Sequence, residues 1–418
     1  MDRITSIKDK LKNKSDNRRL GDPNKKSPDD IVIVSALRTP ICKAKKGKFK
    51  NTPPEILLAH VLKAVISETK IDPKFIEDVQ CGNVLMPGAG ALVMRQAQIL
   101  AGLDISTPVA AINRQCSSGL EACSIIATKI KSGLIDIGIG AGVESMSLYK
   151  MQDWVDESKL SQDVFNNSVA KNCLLPMGQC SEILTEKYGL KREDLDNFAY
   201  LSYKKANQAK KNGLFKEEIV PIKVKKVNSK TSEFQDITVY DDDGIREDVT
   251  MDSLKRLKPV FRSDGLSTPG NSSQMSDGAS AVLLTSRKKA EELGLKIIGK
   301  FISHVAVGVP PELMGVGPAE AIPLALNDAG LTIKDIDIFE INEAFASQCY
   351  YCVEALGIDH SKVNPKGGAI AFGHPLGCTG NRMFATLLTE LKRTGKKYGV
   401  ISMCVGTGMG AAAVIESE

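Results

Sequence analysis

The sequence predicts an α/β fold in which two similar halves flank an inserted lobe. Three observations support this fold class: short β-branched segments alternate with helical ones, the same order of segments occurs twice, and residues 150–268 interrupt that order between the two copies. Strands that alternate with helices indicate parallel β–α–β units. A repeated order of elements indicates a pseudo-symmetric pair of α/β domains.

The first half opens with a strand and a helix. Residues 31–35 form a β-branched run of the buried-strand type, and residues 54–69 carry apolar side chains at helical spacing with proline near the start. Residues 78–83 are expected to form a strand that ends in a turn. A helix is then predicted at residues 119–133, opened by its first glycine, and a strand at residues 135–141.

The second half repeats this order. A helix is predicted at residues 318–329 and a strand at residues 337–342, and in both halves the strand segment runs from an aspartate to an asparagine five positions later. A helix opened by Gly380 is expected to run to Gly395, and residues 398–404 are expected to form the following strand. The two halves therefore contain corresponding elements.

The inserted lobe has a different pattern. It contains helical pieces at residues 180–188 and 192–212, a lysine-rich strand region at residues 220–227 and an acidic turn at residues 241–244. We interpret it as a loop-rich domain that covers one face of the first half, and insertions of this length often carry binding function. The predicted division is a flexible or targeting segment at 1–29, an N-terminal half at 30–149 and 269–287, a loop domain at 150–268, and a C-terminal half at 288–418.

Composition excludes several classes of protein. The chain has 418 residues and a formal net charge of +5, and it has no long basic stretch interleaved with aromatic residues, so nucleic-acid binding is not expected. No apolar run approaches the ~20 residues that a membrane-spanning helix needs. The ten cysteines are dispersed and no secretory segment opens the chain, which favours a reducing compartment.

Two pairs of cysteines raise alternatives. Cys349 and Cys352 have the spacing of half a zinc site, but no second pair at a suitable spacing follows. We therefore predict a helix with buried thiols and no metal. Cys123 and Cys378 lie close in sequence to the reactive loops described next, and a regulatory bridge involving them stays open.

Three loops of small residues each present one reactive side chain. They are residues 113–119 with Cys116, residues 367–377 with His374, and residues 404–410 with Cys404. Glycines let the backbone N–H groups approach a ligand closely. A thiolate that attacks, a histidine that accepts the thiol proton and a second thiol that moves another proton suit the chemistry of thioesters.

These loops, together with residues 270–279 and 342–345, resemble the thiolase family in order and separation, over residues from about 30 to 418. The resemblance implies a five-layer αβαβα fold, built from two similar halves and a loop domain, that usually forms a dimer or a dimer of dimers. Ketoacyl synthases of the same superfamily normally pair the cysteine with two histidines, and Asn342 and Cys404 stand in those places here.

The resemblance also implies catalytic roles. Cys116 would be the nucleophile that becomes acylated, and His374 would activate its thiol. Cys404 would protonate the departing enolate and then deprotonate coenzyme A (CoA). Asn342 would hold a water that, with His374, stabilises the enolate oxygen, and the backbone N–H groups of Cys116 and Gly406 would form a second oxyanion hole.

For the binding of CoA, the resemblance points to five further residues. Arg246 would lie beside the adenine and the phosphates, where a guanidinium suits a phosphate partner. Ser273 would lie near the pantetheine, and Met177, Met314 and Phe345 would line the channel around the reacting thioester. CoA would be a substrate, and no cofactor is implied.

The branch of the family is indicated by one position. Members that make acetoacetyl-CoA usually have histidine before the Met-Gly of the loop domain, whereas this chain has Leu175-Pro176-Met177-Gly178. This indicates the degradative branch, which cleaves 3-oxoacyl-CoA with CoA in fatty-acid β-oxidation and gives acetyl-CoA and a shortened acyl-CoA. A biosynthetic enzyme, and a non-catalytic carrier of acyl-CoA or lipid on the same scaffold, remain as alternatives.

The first eleven residues resemble a type-2 peroxisomal targeting signal. Arg3, Ile4, Ile7 and Leu11 match its pattern, and Ile4, Ile7 and Leu11 would form an apolar stripe on a short helix. Lys10 stands where histidine or glutamine is usual. The resemblance predicts the peroxisomal matrix and an import receptor as a partner, and a frayed helix without a role is the alternative.

Overall fold

Strands and helices alternate through both halves of the computed structural model, which describes residues 20–153, 155–227 and 234–418. The strands are β1 (Ile31–Arg38), β2 (Cys42–Lys43), β3 (Asp78–Gly82), β4 (Val109–Ile112), β5 (Ile137–Ser145), β6 (Ile222–Val227), β7 (Phe234–Val239), β8 (Ser276–Ser286), β9 (Gly299–Gly308), β10 (Ile338–Ile341), β11 (Tyr398–Val405) and β12 (Met409–Ser417). The helices are α1 (Pro54–Thr69), α2 (Ala91–Leu100), α3 (Ser118–Lys131), α4 (Gln162–Asn166), α5 (Ser168–Asn172), α6 (Met177–Tyr188), α7 (Arg192–Lys211), α8 (Met251–Lys255), α9 (Arg287–Glu292), α10 (Gly317–Ala329), α11 (Ala346–Leu356), α12 (Ala369–Phe372) and α13 (Leu376–Thr394). The targeting segment predicted at residues 3–11 lies outside the described residues.

The main sheet has the order β10-β11-β12-β9-β1-β8-β5-β3-β4, with β2 paired to β8. Only two residue pairs, Val32 with Lys300 and Ile33 with Gly299, join β1 to β9. Outward from this junction, β1-β8-β5-β3 in one half corresponds to β9-β12-β11-β10 in the other. The repeat predicted from the sequence therefore appears as two similar sheet sections that meet at a short seam.

The prediction of parallel strands holds only for part of each section. Strands β3, β4 and β5 are mutually parallel where they pair, and so are β10 and β11. Strands β8 and β12 run antiparallel to their neighbours. For β12 the reason is its connection, because the three residues between β11 and β12 are too few for a crossover and permit only an antiparallel pair.

Five layers follow from the helices. The apolar faces of α3 and α13 join one buried cluster with side chains of β1, β8, β9, β11 and β12, which places these two helices between the two sheet sections. Helix α1 covers the outer face of the first section, and α10 and α11 cover the outer face of the second. The predicted αβαβα order is thus the observed one.

The two central helices touch at their N-terminal ends through glycine. A Cβ atom on Gly119 would lie 2.2 Å from Asn381 Oδ1, and one on Gly380 would lie 2.2 Å from the backbone nitrogen of Leu120. Gly380 was expected to open α13, but that helix begins four residues earlier at Leu376. Gly380 lies inside the helix, where the absence of a side chain permits the close contact with Leu120. It does not mark the start of the helix.

The inserted segment packs on both halves. Apolar side chains of α7 join the buried cluster of the C-terminal half, whereas those of the β6–β7 hairpin join the cluster of the N-terminal half. The lobe was expected to cover one face of the first half, and the structure adds a second contact surface on the C-terminal half. The acidic turn is also integrated into the fold, since the carboxylate of Asp242 accepts hydrogen bonds from Arg38 at 2.7 and 2.9 Å.

The cysteines are buried or half-buried free thiols. All ten are free, including Cys123 and Cys378, and Cys349 and Cys352 lie inside α11. Over residues 20–153, 155–227 and 234–418, no group of histidine, cysteine and carboxylate side chains is arranged to hold a metal ion. Within the same ranges, no helix combines the length and hydropathy that crossing a bilayer requires.

Candidate active site

The ends of four elements bring the reactive residues to one place. Cys116 stands two residues before α3, and His374 stands two residues before α13, so both precede the N-termini of adjacent helices. Asn342 follows β10 and Cys404 lies near the end of β11. Because these two strands are parallel neighbours, their carboxyl ends meet at the same edge.

A cavity of about 590 Å³ opens at this edge. Its wall includes seven of the ten site residues predicted from the sequence: Cys116, Met177, Ser273, Met314, Phe345, His374 and Cys404. Apolar side chains predominate, and Met146, Met151 and Met275 add further thioethers to those of Met177 and Met314. Thioether side chains are flexible and polarisable, so such a wall can adapt to acyl groups of different shape.

His374 is buried and held at both ring nitrogens. Its Nδ1 lies 2.7 Å from Thr379 Oγ1, and its Nε2 lies 3.3 Å from Asn342 Nδ2. An amide nitrogen can only donate, so Nε2 accepts and the Nδ1 proton is donated to the threonine. Burial, and then the charge of Arg382, lowers the pKa of His374 to about 3, so the resting imidazole is neutral.

Cys116 lies among backbone donors in a mostly apolar setting. The backbone N–H groups of Gly406 and of Cys116 itself hydrogen-bond to its sulfur, but burial outweighs them and raises the pKa of the thiol to about 11. The pKa of Cys404 is raised well above its ordinary value, first by burial and then by the neighbouring Cys116. Both thiols are therefore protonated at neutral pH while the cavity is empty of substrate.

Each of the three reactive loops contains a residue with an unusual backbone conformation. Gln115 has a φ of 47° and Thr407 a φ of 67°, which cost side-chain-bearing residues about 1–3 kcal/mol each. Gly373 has a φ of 114°, and a Cβ there would lie 2.0 Å from Ser276 Oγ. Such conformations turn N–H groups and side chains towards the cavity at the expense of local stability.

Glu343 supports the site and was not identified from the sequence. Its buried carboxylate accepts hydrogen bonds from Ser202 Oγ at 2.6 Å, from Asn364 Nδ2 at 2.8 Å and from the backbone N–H of Ile370 at 3.2 Å. It thereby joins the Asn342 loop to the loop that carries His374. The sequence feature that could have identified Glu343 is its position within the motif at residues 342–345.

Glu144 is a second supporting carboxylate that sequence reasoning missed. It accepts from Asn83 Nδ2 at 2.9 Å and from the backbone N–H groups of Val84, Leu85 and Gly377 at 3.0–3.2 Å. Burial outweighs these donors and raises the pKa of Glu144 to about 7. Because Gly377 belongs to the first turn of α13, Glu144 fixes the start of that helix. No motif pointed to it.

Two predicted residues, Asn342 and Gly406, lie beside the cavity without forming part of its wall. Asn342 is buried behind His374, and Gly406 presents its N–H group to Cys116. Met177, Met314 and Phe345 form one apolar cluster with Cys404. Ser273 is held by a hydrogen bond from its backbone N–H group to Ala344 O at 3.0 Å.

Arg246 is the predicted residue that the structure keeps apart. Arg246 is exposed and does not line the cavity. Two residues earlier, the carbonyl of Gly244 accepts a hydrogen bond from Nε2 of Gln274, and Gln274 is part of the cavity wall. The segment that carries Arg246 therefore passes close to the cavity, although Arg246 itself is not part of the wall. Its contact with CoA stays a prediction.

Comparison with known proteins gives one consistent family. The model for the thiolase N-terminal domain matches residues 31–288, and that for the thiolase C-terminal domain matches residues 295–417. The chain is 54% identical over 391 residues to "3-ketoacyl-CoA thiolase B, peroxisomal" of Rattus norvegicus. The aligned region covers 93% of this chain and 91% of the relative. It is 52% identical over 418 residues to "3-ketoacyl-CoA thiolase, peroxisomal" of Yarrowia lipolytica, with both chains covered completely. Among solved structures, the dimeric peroxisomal thiolase of Saccharomyces cerevisiae superimposes with a TM-score of 0.87 at 48% identity, over 95% of this chain and 99% of that one.

Proposed function

The chain belongs to the thiolase family, and from that premise we propose that it cleaves 3-oxoacyl-CoA with free CoA in peroxisomal β-oxidation. The products are acetyl-CoA and a shortened acyl-CoA. The observation that carries the proposal is the meeting of Cys116, His374 and Cys404 in the wall of one apolar cavity. Two relatives of nearly equal length that are named peroxisomal 3-ketoacyl-CoA thiolases support the degradative, peroxisomal assignment.

In the first half of the proposed reaction, the Cys116 thiol gives its proton to Nε2 of His374 and its sulfur attacks the 3-oxo carbon. The oxyanion that forms is stabilised by the backbone N–H groups of Cys116 and Gly406. The bond between carbon 2 and carbon 3 then breaks. Cys404 protonates the enolate carbon, which releases acetyl-CoA and leaves the acyl group on Cys116.

In the second half, the Cys404 thiolate takes the proton of an incoming CoA thiol. The CoA sulfur attacks the acyl carbon on Cys116 through the same oxyanion position, and the C–S bond to Cys116 breaks. The thiolate that leaves recovers its proton from His374. Acyl-CoA is released with both cysteines back in their starting state, so no cofactor is needed to balance the reaction.

Asn342 and His374 are proposed to stabilise the enolate oxygen. Asn342 Nδ2 lies 3.3 Å from His374 Nε2, so a water bound by the amide would lie beside the imidazole. Removing one donor from an oxyanion site costs on the order of 10²–10³ in rate.

We also propose a homodimer, as in the related yeast structure. Among the described residues, β4 pairs only with β3, so its outer edge is open. Leu92 is 73% exposed and Ile105 is 78% exposed on the elements beside this edge. A partner subunit there would cover both the apolar side chains and the unpaired strand.

Cleavage assays test the proposal. We expect the 3-oxo absorbance of substrates of several chain lengths to be lost only when free CoA is present, and Cys116→Ala to abolish the loss. The matched control is Cys123→Ala, which removes a buried thiol from α3 that does not line the cavity. Circular dichroism checks that each variant is folded.

The same assay separates the alternatives. Turnover confined to acetoacetyl-CoA would favour a biosynthetic enzyme. The sequence does not support that alternative, because Leu175 and Pro176 precede Met177-Gly178 where biosynthetic members usually have histidine. Binding of acyl-CoA without turnover by folded protein would favour the carrier. Residual CoA-dependent cleavage in Cys116→Ala would exclude Cys116 as the nucleophile. Import into peroxisomes, with residues 1–11 present or removed, tests the predicted receptor.

A further inference from the structure

A lysine-rich turn stands beside the catalytic cavity. Residues 43–50, here named the basic turn, contain five lysines in eight positions: Lys43, Lys45, Lys46, Lys48 and Lys50. The side chains of Lys45, Lys46 and Lys48 are exposed, and those of Lys43 and Lys50 are half-buried. In the part of the chain that the structure describes, none of these five lysines forms an ion pair with a carboxylate.

The basic turn is rigid because one carboxylate organises its backbone. Asp243 accepts hydrogen bonds from the N–H group of Lys43 at 2.7 Å and from that of Lys48 at 2.9 Å. The N–H group of Gly47 closes the turn on Lys43 O at 2.7 Å, and a Cβ on Gly47 would lie 2.5 Å from the same oxygen. Asp243 is therefore occupied by main-chain donors, and the lysine side chains project away from a fixed frame.

The turn is attached to the entrance of the cavity. The N–H group of Ala44 donates to Met275 O at 2.9 Å, and Met275, half exposed, is part of the cavity wall. On the other side, the N–H group of Lys45 donates to Ser147 Oγ at 2.7 Å. These contacts keep the ammonium groups at the rim and not at the reacting atoms.

Arg246 adds a sixth positive charge at the same rim. Partial burial lowers the pKa of Lys43, and the Arg246 guanidinium lowers it further, which indicates that the two cations are close. Lys46 also lowers the pKa of Lys43, whereas the carboxylates of Asp243 and Asp248 raise it. Positive groups held together against their repulsion, beside a cavity, are typical of a site that binds a polyanion.

We propose that the basic turn, together with Arg246, binds the phosphate groups of CoA. This inference rests on the proposed function, because a CoA thiol that reacts at Cys116 and Cys404 must enter by this rim. The pyrophosphate and the 3′-phosphate lie at the opposite end of the pantetheine arm from the thiol, so they remain at the entrance. Lysine is a suitable point charge for phosphate, and the exposed ammonium groups can also accelerate encounter with the anion.

The test is the charge-reversal variant Lys45→Glu/Lys46→Glu/Lys48→Glu. These three side chains are exposed, and the hydrogen bonds that shape the turn come from the backbone, so the fold is retained. At saturating 3-oxoacyl-CoA, the acceptors CoA, 3′-dephospho-CoA and pantetheine are compared. We expect the KM for CoA to rise about tenfold, the KM for pantetheine to stay within about twofold, and kcat to be unchanged.

Dephospho-CoA identifies which phosphate is bound. If the shift in KM persists with 3′-dephospho-CoA, the turn binds the pyrophosphate, and if it disappears, the turn binds the 3′-phosphate. Rising ionic strength should lower kcat/KM for CoA more steeply in the wild type than in the variant, because exposed charges are screened. Calorimetry of CoA binding to the Cys116→Ala enzyme should give the same ratio of affinities without turnover.

The matched control is Lys74→Glu/Lys334→Glu/Lys396→Glu. It changes the net charge equally, at exposed positions that precede strands β3, β10 and β11, at the end of the sheet opposite the cavity. An equal rise in the KM for CoA in this control, or an equal rise for pantetheine in the test variant, would overturn the proposal. An unchanged KM for CoA in the test variant would overturn it as well. Absence of turnover by the wild-type enzyme would instead contradict the proposed function.

Discussion

At the scale of single residues, the site combines reactive groups with surroundings that keep them uncharged. Burial raises the pKa of Cys116 to about 11 and lowers that of His374 to about 3. Transfer of a proton between them would create two charges in an apolar cavity, so the neutral pair is the resting state. The backbone donors around Cys116 become useful when substrate brings its own carbonyl oxygen to them.

The protonated resting state of the Cys116 thiol predicts how the rate of its alkylation depends on pH. The thiolate is the reactive form, so the rate with iodoacetamide should rise about tenfold per pH unit through pH 9 without levelling off. Mass spectrometry of the peptide containing Cys116 measures the rate, and glutathione under the same conditions is the reference, with an ordinary thiol pKa of about 8.5. A plateau for Cys116 below pH 8 would mean that the resting enzyme already holds a thiolate.

At the scale of elements, the contact between α3 and α13 sets the geometry of the site. Each helix follows directly from a reactive loop, and Gly119 and Gly380 let the two N-terminal ends approach at backbone distance. Both helices are enclosed between sheet sections, so they cannot move apart to admit a larger side chain. The separation of Cys116 from His374 therefore depends on residues that do not react.

Substitution of Gly380 tests this dependence. In Gly380→Ala the new methyl group would meet the backbone nitrogen of Leu120 at 2.2 Å, and we expect the free energy of unfolding to fall by about 3 kcal/mol, with loss of activity. The control is Gly308→Ala, where a Cβ meets nothing within 4 Å. Urea denaturation measures both variants. Equal stabilities for the two would show that the helices can separate.

At the scale of the whole molecule, a buried ionic cluster links three parts of the chain. Arg38 of β1 contacts Glu218 of the inserted segment at 2.8 Å, and Glu218 contacts Lys366 of the C-terminal half at 2.7 Å. Asp242 completes the neutralisation of Arg38. Burial alone would raise the pKa of Glu218, but Lys366 and Arg38 outweigh it and hold the pKa at about 2.

The cluster predicts how stability changes with acid. A carboxylate with a depressed pKa stabilises the fold above its ordinary value of 4.5, and that contribution is lost as the pH falls from there towards about 2. At neutral pH, Glu218→Gln should lower the free energy of unfolding by about 3 kcal/mol. The substitution removes the negative charge that Glu218 places beside the buried cations Arg38 and Lys366. Below pH 4.5 the difference from wild type should shrink.

Urea denaturation at pH 7, 5, 4 and 3 measures this difference. The adjacent Glu217→Gln is the control, because Glu217 is exposed in its pair with Lys392, and its effect should be at most about 0.5 kcal/mol. A difference between Glu218→Gln and wild type that stays constant down to pH 3 would show that folding does not lower the pKa of Glu218.

The sequence alone determined the features that depend on neighbouring residues. Helix α1 has the predicted bounds, because its apolar spacing and its N-terminal proline act within a few turns. The reactive residues were also identifiable, since each is set among glycines in a short loop. The order of these loops was enough to indicate the family and, with it, the five-layer fold.

Only the tertiary structure decided the features that depend on distant parts of the chain. It places the start of α13 at Leu376, the helix α7 against the C-terminal half, and the supporting carboxylates Glu144 and Glu343 behind the loops. It also leaves Arg246 at the rim of the cavity. The physical reason is that burial, charge pairing and close helix contact arise between residues far apart in sequence, whereas helical spacing and glycine loops are local.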